Sequence, residues 1–437
     1  MSPIFLQAEQ AAHAQNWPLL ADYIQQLVTD KSWPKSNLVD GINDPKTQAL
    51  TLVLTVLEWG DFQEKWEITK IFPYLGAMAI NPLITIVEDE EAEEQKRWFA
   101  TRILGQFNQP EAMTALGELI KTTNSKDISS IAANALANLG TIAIPILANL
   151  LTDENTCLFA TLALAQMNDP AIIEPLLTVT DNPISEIRAT AIEALSGFND
   201  QRINEILRKG ITDPATAVRK EAVIALGNRA NLWSDLDLIK QLESLLKDIQ
   251  LEVAQNAALS LGKIKNKIAA EVLIKEFQSP LIYPDVKITI IRALGWMEIP
   301  ESLDYLQIIL LENYPDLDPD FLSNVVICQQ VIAVLGRIET SPLKIKATGI
   351  LTDLINNYEM TKSAKIKQEI ASSLGHLGQP EAILPLLILI VDNDPTVRWH
   401  SLAALKQLKI PNVRQHLQDL VKIYPVEQGV EIALTEL

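Results

Sequence analysis

At 437 residues, with 48 % hydrophobic and 21 % charged side chains, the chain is too apolar to be disordered and larger than one ordinary globular core. Its 55 acidic and 36 basic residues give a formal charge of −19. That balance opposes a general nucleic-acid-binding role, because such affinity rests on Lys and Arg neutralising phosphates.

In chain order, Met1–Leu6 lacks a basic stretch followed by an apolar core, so no signal peptide is expected. No run of about 20 apolar residues predicts an integral membrane segment. Cys157 and Cys328 lie in apolar runs and show no metal-type spacing. They read as buried free thiols, and the expected location is cytoplasmic. Ala8–Val28 has helical periodicity, broken at Trp17-Pro18, and Trp33-Pro34 marks a second boundary. Residues 46–60 predict a heavily buried helix. Residues 1–78 thus read as an aromatic-rich N-terminal helical cap, with room for one or two degenerate repeats.

From residue 79 a phrase recurs. Asp213-Pro214 precedes Val218-Arg219, which runs through Ala222 to Leu226-Gly227. Copies stand at Asp394-Pro395, Val397-Arg398 and Ala403-Ala404-Leu405, and more loosely from Ile187-Arg188 to Ala194-Leu195. The helices carrying it end near Gly105, Gly140, Ala165, Ser196, Gly227, Gly262, Gly295, Gly336, Gly375 and Lys406, at intervals of 25 to 41 residues. Two apolar helices per period predict an all-α chain. Its stacked antiparallel helix pairs form an α-solenoid, about ten repeats over residues 79–437, as one continuous right-handed superhelix. The glycines are expected to be left-handed helix caps. Ala222, Ala257 and Ala371, a few residues earlier, are expected to allow close helix approach. First helices open with Gln109-Pro110-Glu111-Ala112 or its copy Gln379-Pro380-Glu381-Ala382, where proline costs no hydrogen bond. Further prolines, Pro82, Pro145, Pro175 and Pro385, predict a bend within the first helix.

These motifs resemble the HEAT-like repeats of the bilin lyase type found in phycobilisome biogenesis, over residues 79–437 and more loosely from 46. The resemblance implies a protein partner, a phycobiliprotein or a photosynthetic assembly component. It also implies an alternative activity: a bilin lyase, isomerase or bilin chaperone, with a bilin tetrapyrrole as its cofactor. No lyase residue carries over, because the match lies in the repeat frame.

The residues themselves show no catalytic constellation. His13, His376, His400 and His416 form no His-Glu pair, unlike the di-iron deoxyhypusine hydroxylases built on such repeats. Phosphate-binding loops and nucleophile elbows are absent. No cofactor or metal is expected, and the preferred reading is a non-enzymatic protein-binding scaffold using the concave surface. Arg188, Arg219 and Arg398 read either as donors for an acidic partner or as an inter-repeat ladder with Asp181, Asp213 or Asp394, the regular spacing favouring the ladder. Lys220, Arg292, Lys367 and His400 are less regular and so are candidates for partner binding, as is Arg188 if the ladder fails. Trp98 and Trp399 each follow an arginine and read equally as interface anchors or as packing. The acidic runs 88–94 and 313–320 lack calcium-loop spacing and read as solvated loops, with binding as the alternative.

Overall fold

The computed structural model describes residues 3–30, 33, 44–313, 322–357, 363–408, 419 and 427–436, and every regular element among them is helical. Its contacts group into two units, residues 1–206 and 207–437.

Unit 1 begins with α1 (Pro3–His13), α2 (Trp17–Thr29), α3 (Pro45–Trp59), α4 (Phe62–Ile68) and α5 (Phe72–Leu75). Trp17-Pro18 is a helix start, as its sequence implies. Proline occupies the first turn, and the Asn16 side chain accepts from Leu19 N–H. The apolar 46–60 run is α3, which buries Ala49, Leu50, Val53, Val56 and Leu57. Regular pairs follow: α6 (Ile80–Glu88) with α7 (Glu94–Leu104), α8 (Pro110–Thr122) with α9 (Lys126–Asn138), α10 (Ile144–Leu150) with α11 (Cys157–Ala165), and α12 (Ile173–Leu177) with α13 (Ser185–Ser196). α14 (Gln201–Gly210) spans the division between the units.

Unit 2 holds α15 (Thr216–Gly227), then α16 (Leu236–Leu245) with α17 (Leu251–Ile264), α18 (Lys267–Phe277) with α19 (Pro284–Met297), and α20 (Pro300–Asn313) with α21 (Leu322–Leu335). α22 (Ser341–Asn357) with α23 (Ala364–Leu377), α24 (Ile383–Leu389) with α25 (Pro395–Gln407), and α26 (Glu427–Glu436) complete it. In each unit the second helices of the pairs stand side by side as one layer, and the first helices form the other. This is an all-α solenoid. The leucine of each Leu-small step, such as Leu104, Leu136, Leu226, Leu261 and Leu294, is fully buried between the layers. Each contributes about 2 kcal/mol of apolar burial.

No single helix among the described residues is long and apolar enough to cross a membrane. Phe62–Ile68 and Phe72–Glu88 pass that test only as a bent pair, and their Ile68, Phe72, Leu75, Ile80 and Leu83 are buried inside unit 1.

Gly140 is left-handed as expected, but the other glycines of the Leu-small step are not. Among the described residues, positive φ occurs at Gly76, Gly140 and Gly378 and at Gln15, Lys265 and Glu298, but not at Gly105, Gly227, Gly262, Gly295, Gly336 or Gly375. Those six are needed for space. A Cβ on Gly227 would lie 2.9 Å from Ser260 Cα, on Gly262 3.0 Å from Ala293 Cα, and on Gly336 2.8 Å from Ser373 Cα. Gly105 meets Ala135 and Gly375 meets Ala404 in the same way, whereas Gly295 meets the branched side chain of Val334. In every case the contact residue immediately precedes the buried leucine of the next second helix. Ser260 and Ser373 use the closeness to donate to the Val223 and Ile332 carbonyls, both at 3.0 Å. The true left-handed ends come three residues after the glycine, at Lys265, Glu298 and Gly378.

The second prolines do not kink helices either. A 3₁₀ turn precedes each: Gly76–Ala79, Gly140–Ala143, Pro170–Ile172 and Pro380–Ala382. Proline clashes with the carbonyl four residues back. For Pro82, Pro145, Pro175 and Pro385 that residue falls inside the tightened turn, and the proline sits in the first turn of the α-helix that follows. Hence the same four residues open a regular helix at Pro110 and a 3₁₀ turn at Pro380, where Pro385 lies ahead.

Two stability effects follow. Gly227→Ala is expected to cost about 1–3 kcal/mol in denaturant unfolding despite alanine's better helix propensity. Gly197→Ala, whose Cβ would meet only the Ala194 carbonyl at 3.9 Å, serves as the neutral control. Lys265 is exposed with φ 50°, so Lys265→Gly is expected to stabilise by about 1 kcal/mol by relieving that conformation. A lower melting temperature for it would refute this assignment of strain.

Candidate functional site

Counting from each buried leucine, three columns four residues apart form the open face of the second-helix layer, since that spacing returns to one helix face. In unit 1 they read Trp98 and Arg102 on α7 with Gln106 just past it, Asn134 and Asn138 on α9, and Leu162 on α11 with Gln166 just past it. In unit 2 they include Lys220 on α15, Lys263 on α17, Arg292 and Trp296 on α19, Arg337 just past α21, His376 on α23 and Trp399 on α25.

The arginines one step before the first column are architecture. Arg219 Nη1 donates to the Asp213 and Pro214 carbonyls at 3.0 and 3.1 Å, closing its own turn. Its Nε and Nη2 then grip Asp248 of the next turn, both at 2.8 Å, with side chains only 12 % and 8 % exposed. Arg188 and Arg398 close their turns alike, on the Asn182 and Pro183 carbonyls and on those of Asp392 and Asn393. The ladder therefore exists, but for Arg219 the carboxylate belongs to the following turn rather than to its own. Lys367, outside the predicted pattern, occupies the same place and pairs with Asp392. Asp394, an expected ladder partner, instead caps α25 by accepting from Thr396 N–H and Val397 N–H.

The remaining predicted residues are scattered. Lys220 pairs with Glu221 and Glu252 at 3.3 and 3.2 Å. Arg292 is exposed and reaches Gln330 at 3.5 Å. Trp399 is 72 % exposed, and the adjacent His400 holds the Thr396 carbonyl through Nδ1 at 2.7 Å. Trp98 joins Phe62, Trp66 and Phe99 in an aromatic cluster with ring centroids 5.0–6.5 Å apart. Arg102 lies over that cluster, 4.4 Å from the Trp66 ring and 5.9 Å from Trp98. Sequence reasoning missed Arg102, Gln106 and the amides of α9 and α11. The four-residue step down from Trp98 is the signal that finds them.

Cys157 and Cys328 are buried, and burial pushes the Cys328 thiol up to about 12, far from a reactive thiolate. Of the acidic run, Glu93 pairs with the buried Lys65 at 3.4 Å, and Glu94 accepts from Ser125 Oγ. Tyr314–Asp320 of the second acidic run lie outside the described residues. The described residues hold no group of three or more His, Cys, Asp and Glu placed to bind a metal ion.

Stacked helix pairs, a leucine-small step and a ladder between turns define an α-helical repeat protein whose surface is suited to binding. The HEAT repeat family matches residues 80–158, 153–226, 204–281 and 351–434, and the chain belongs to that family. No curated protein matches the sequence. Among solved structures the chain is similar to an engineered protein, at 19 % identity over 76 % of this chain and 99 % of that one, with TM-score 0.38. Human deoxyhypusine hydroxylase in complex with glycerol is similar at 17 % identity over 76 % of this chain and 96 % of that one, with TM-score 0.26. Importin beta is similar at 13 % identity over 92 % of this chain and 64 % of that one, with TM-score 0.42.

The Arg219–Asp248 pair sets a pH dependence. Burial pushes the Asp248 carboxyl up, but the Arg219 hydrogen bonds and the Gln250 N–H outweigh it, leaving it below the ordinary 3.8. A lowered folded value means that the stabilisation is complete above about pH 4 and is lost as pH falls through that lowered value. Asp248→Asn is expected to flatten this acid limb of the stability curve. Arg219→Ala, which strands the carboxylate, is expected to cost about 3 kcal/mol near neutral pH.

Proposed function

We propose that the chain is a non-enzymatic protein-binding scaffold or assembly factor that holds an acidic partner on its second-helix layer. The carrying observation is segregation of charge in unit 2. Within α15, α17, α19, α21, α23 and α25 the acidic residues are Glu221, Glu252, Asp285 and Glu369 alone, although acids outnumber bases 55 to 36 in the whole chain. Lys263, Trp296, Arg337 and His376 each follow the small-residue position at the same offset. Trp296 is 56 % exposed, and Arg337 has no side-chain partner among the described residues. Exposed tryptophan interleaved with arginine is the composition of an interface hot spot, and the cations select a partner of opposite charge.

The resemblance of the repeats to those of the bilin lyase type makes a phycobiliprotein, or another photosynthetic assembly component, the first acidic partner to test. Immobilised wild-type protein is expected to retain such a partner from native lysate in a salt-sensitive manner. The Lys263→Glu/Arg337→Glu variant is expected to release it. Equal retention by both proteins would remove this face from the reading. The alternative, that the chain itself handles a bilin, requires a red-shifted absorbance on mixing with phycocyanobilin and transfer to an apo-phycobiliprotein.

A further inference from the structure

Unit 1 carries different chemistry on the corresponding face. Arg102, Gln106, Asn134, Asn138 and Gln166 line an open groove of about 530 Å³ that crosses α7, α9 and α11. Arg102 is exposed, braced against two indole rings, and has no hydrogen bond or ion pair among the described residues. Its neighbours differ. Lys70 pairs with Glu67, Lys96 with Glu58, and Arg97 donates to the Val87 carbonyl. In a chain of net charge −19, a guanidinium held in place by indole rings rather than by a carboxylate keeps its fork of donors for a carboxylate from outside.

Beside Arg102 the groove offers amides rather than further charges. Gln106 Nε2 donates to the Thr69 carbonyl at 3.2 Å, and Gln166 Nε2 donates to Asn134 Oδ1 at 2.9 Å. Those two bonds orient Gln106, Asn134 and Gln166 and leave Gln106 Oε1, Asn134 Nδ2, Gln166 Oε1 and both ends of Asn138 for a ligand. A side-chain amide presents the same donor and acceptor as a peptide group, so a row of amides reads an extended backbone irrespective of its side chains. A polyanion such as nucleic acid would require a row of cations instead.

We propose that this groove binds an extended internal segment of a partner protein, its backbone on the Asn134, Asn138 and Gln166 amides and one Asp or Glu side chain on Arg102. This rests on the reading of the chain as a protein-binding scaffold and names the partner's local chemistry. Crossing three helices at about 10 Å spacing covers about 20 Å, or about six extended residues. The exposed ring of Phe62, stacked on Trp66, adds an apolar seat next to the carboxylate.

The test uses four octapeptide pools passed over immobilised full-length protein. Three are amidated at the C-terminus, with Glu, Gln or Lys fixed at a central position. The fourth has central Gln and a free C-terminus. Mass spectrometry of the retained peptides is expected to show the Glu pool enriched about tenfold or more over the Gln pool. Arg102→Gln is expected to abolish that preference. Asn138→Leu, at an exposed helical position, is expected to weaken retention of every pool with melting unchanged. Lys263→Glu/Arg337→Glu, in unit 2, is expected to leave peptide retention intact, which separates this site from the acidic-partner surface above. The proposal is overturned by equal retention of the Glu and Gln pools, by a preference for Lys, by a preference for the free C-terminus, or by full retention on both unit 1 variants.

Discussion

The close approach of successive second helices is the constraint on which the rest depends. Where Gly227 meets Ser260, Gly262 meets Ala293 and Gly336 meets Ser373, the backbone of one helix rests against the side-chain base of the next. Nothing larger fits, and Ser260 and Ser373 convert the contact into a hydrogen bond to the neighbouring helix's carbonyl. This approach brings one turn within reach of the arginine of the previous repeat, so that Arg219 can close its own turn and hold Asp248 at once. It also aligns the outward columns, so that a residue one step past the small position in one helix lies beside its counterpart in the next.

The first helices solve a different problem. Their inner prolines forbid an unbroken α-helix, and the chain responds by tightening the preceding turn to 3₁₀ rather than by bending. The first helices of these repeats thereby become short, such as α10, α12 and α24, while their second helices remain regular. The more regular second-helix layer is therefore the one whose columns repeat faithfully enough to form a continuous surface.

The two units use that surface differently. Unit 2 gathers cations and exposed tryptophan on second helices nearly free of acid. Unit 1 offers amides and a single guanidinium over an aromatic cluster. The acidic chain keeps its excess charge on first helices and turns, leaving the second-helix faces chemically distinct from the remaining surface.

The sequence determined the helices, their period and their pairing into an all-α solenoid. Leucines at helical spacing, Asp-Pro and Gln-Pro starts and a Leu-small step are local signals, and the helix ends expected at Gly105, Ser196, Gly227 and Lys406 lie within a residue or so of those found. It also marked the arginine position as regular, and therefore architectural. What it did not determine was why most of the step glycines are glycine. A glycine near a helix end reads as a cap, and only the neighbouring helix, some 30 to 40 residues on, shows that the need is for space. Nor did it assign Asp248 to Arg219, or show that Arg102 lies unpaired between two tryptophans and a row of amides. Those facts belong to contacts between successive repeats. Local patterning fixes which face of a helix is buried, but the meeting of two faces depends on the distance and register at which the helices pack, and the tertiary structure alone decides that.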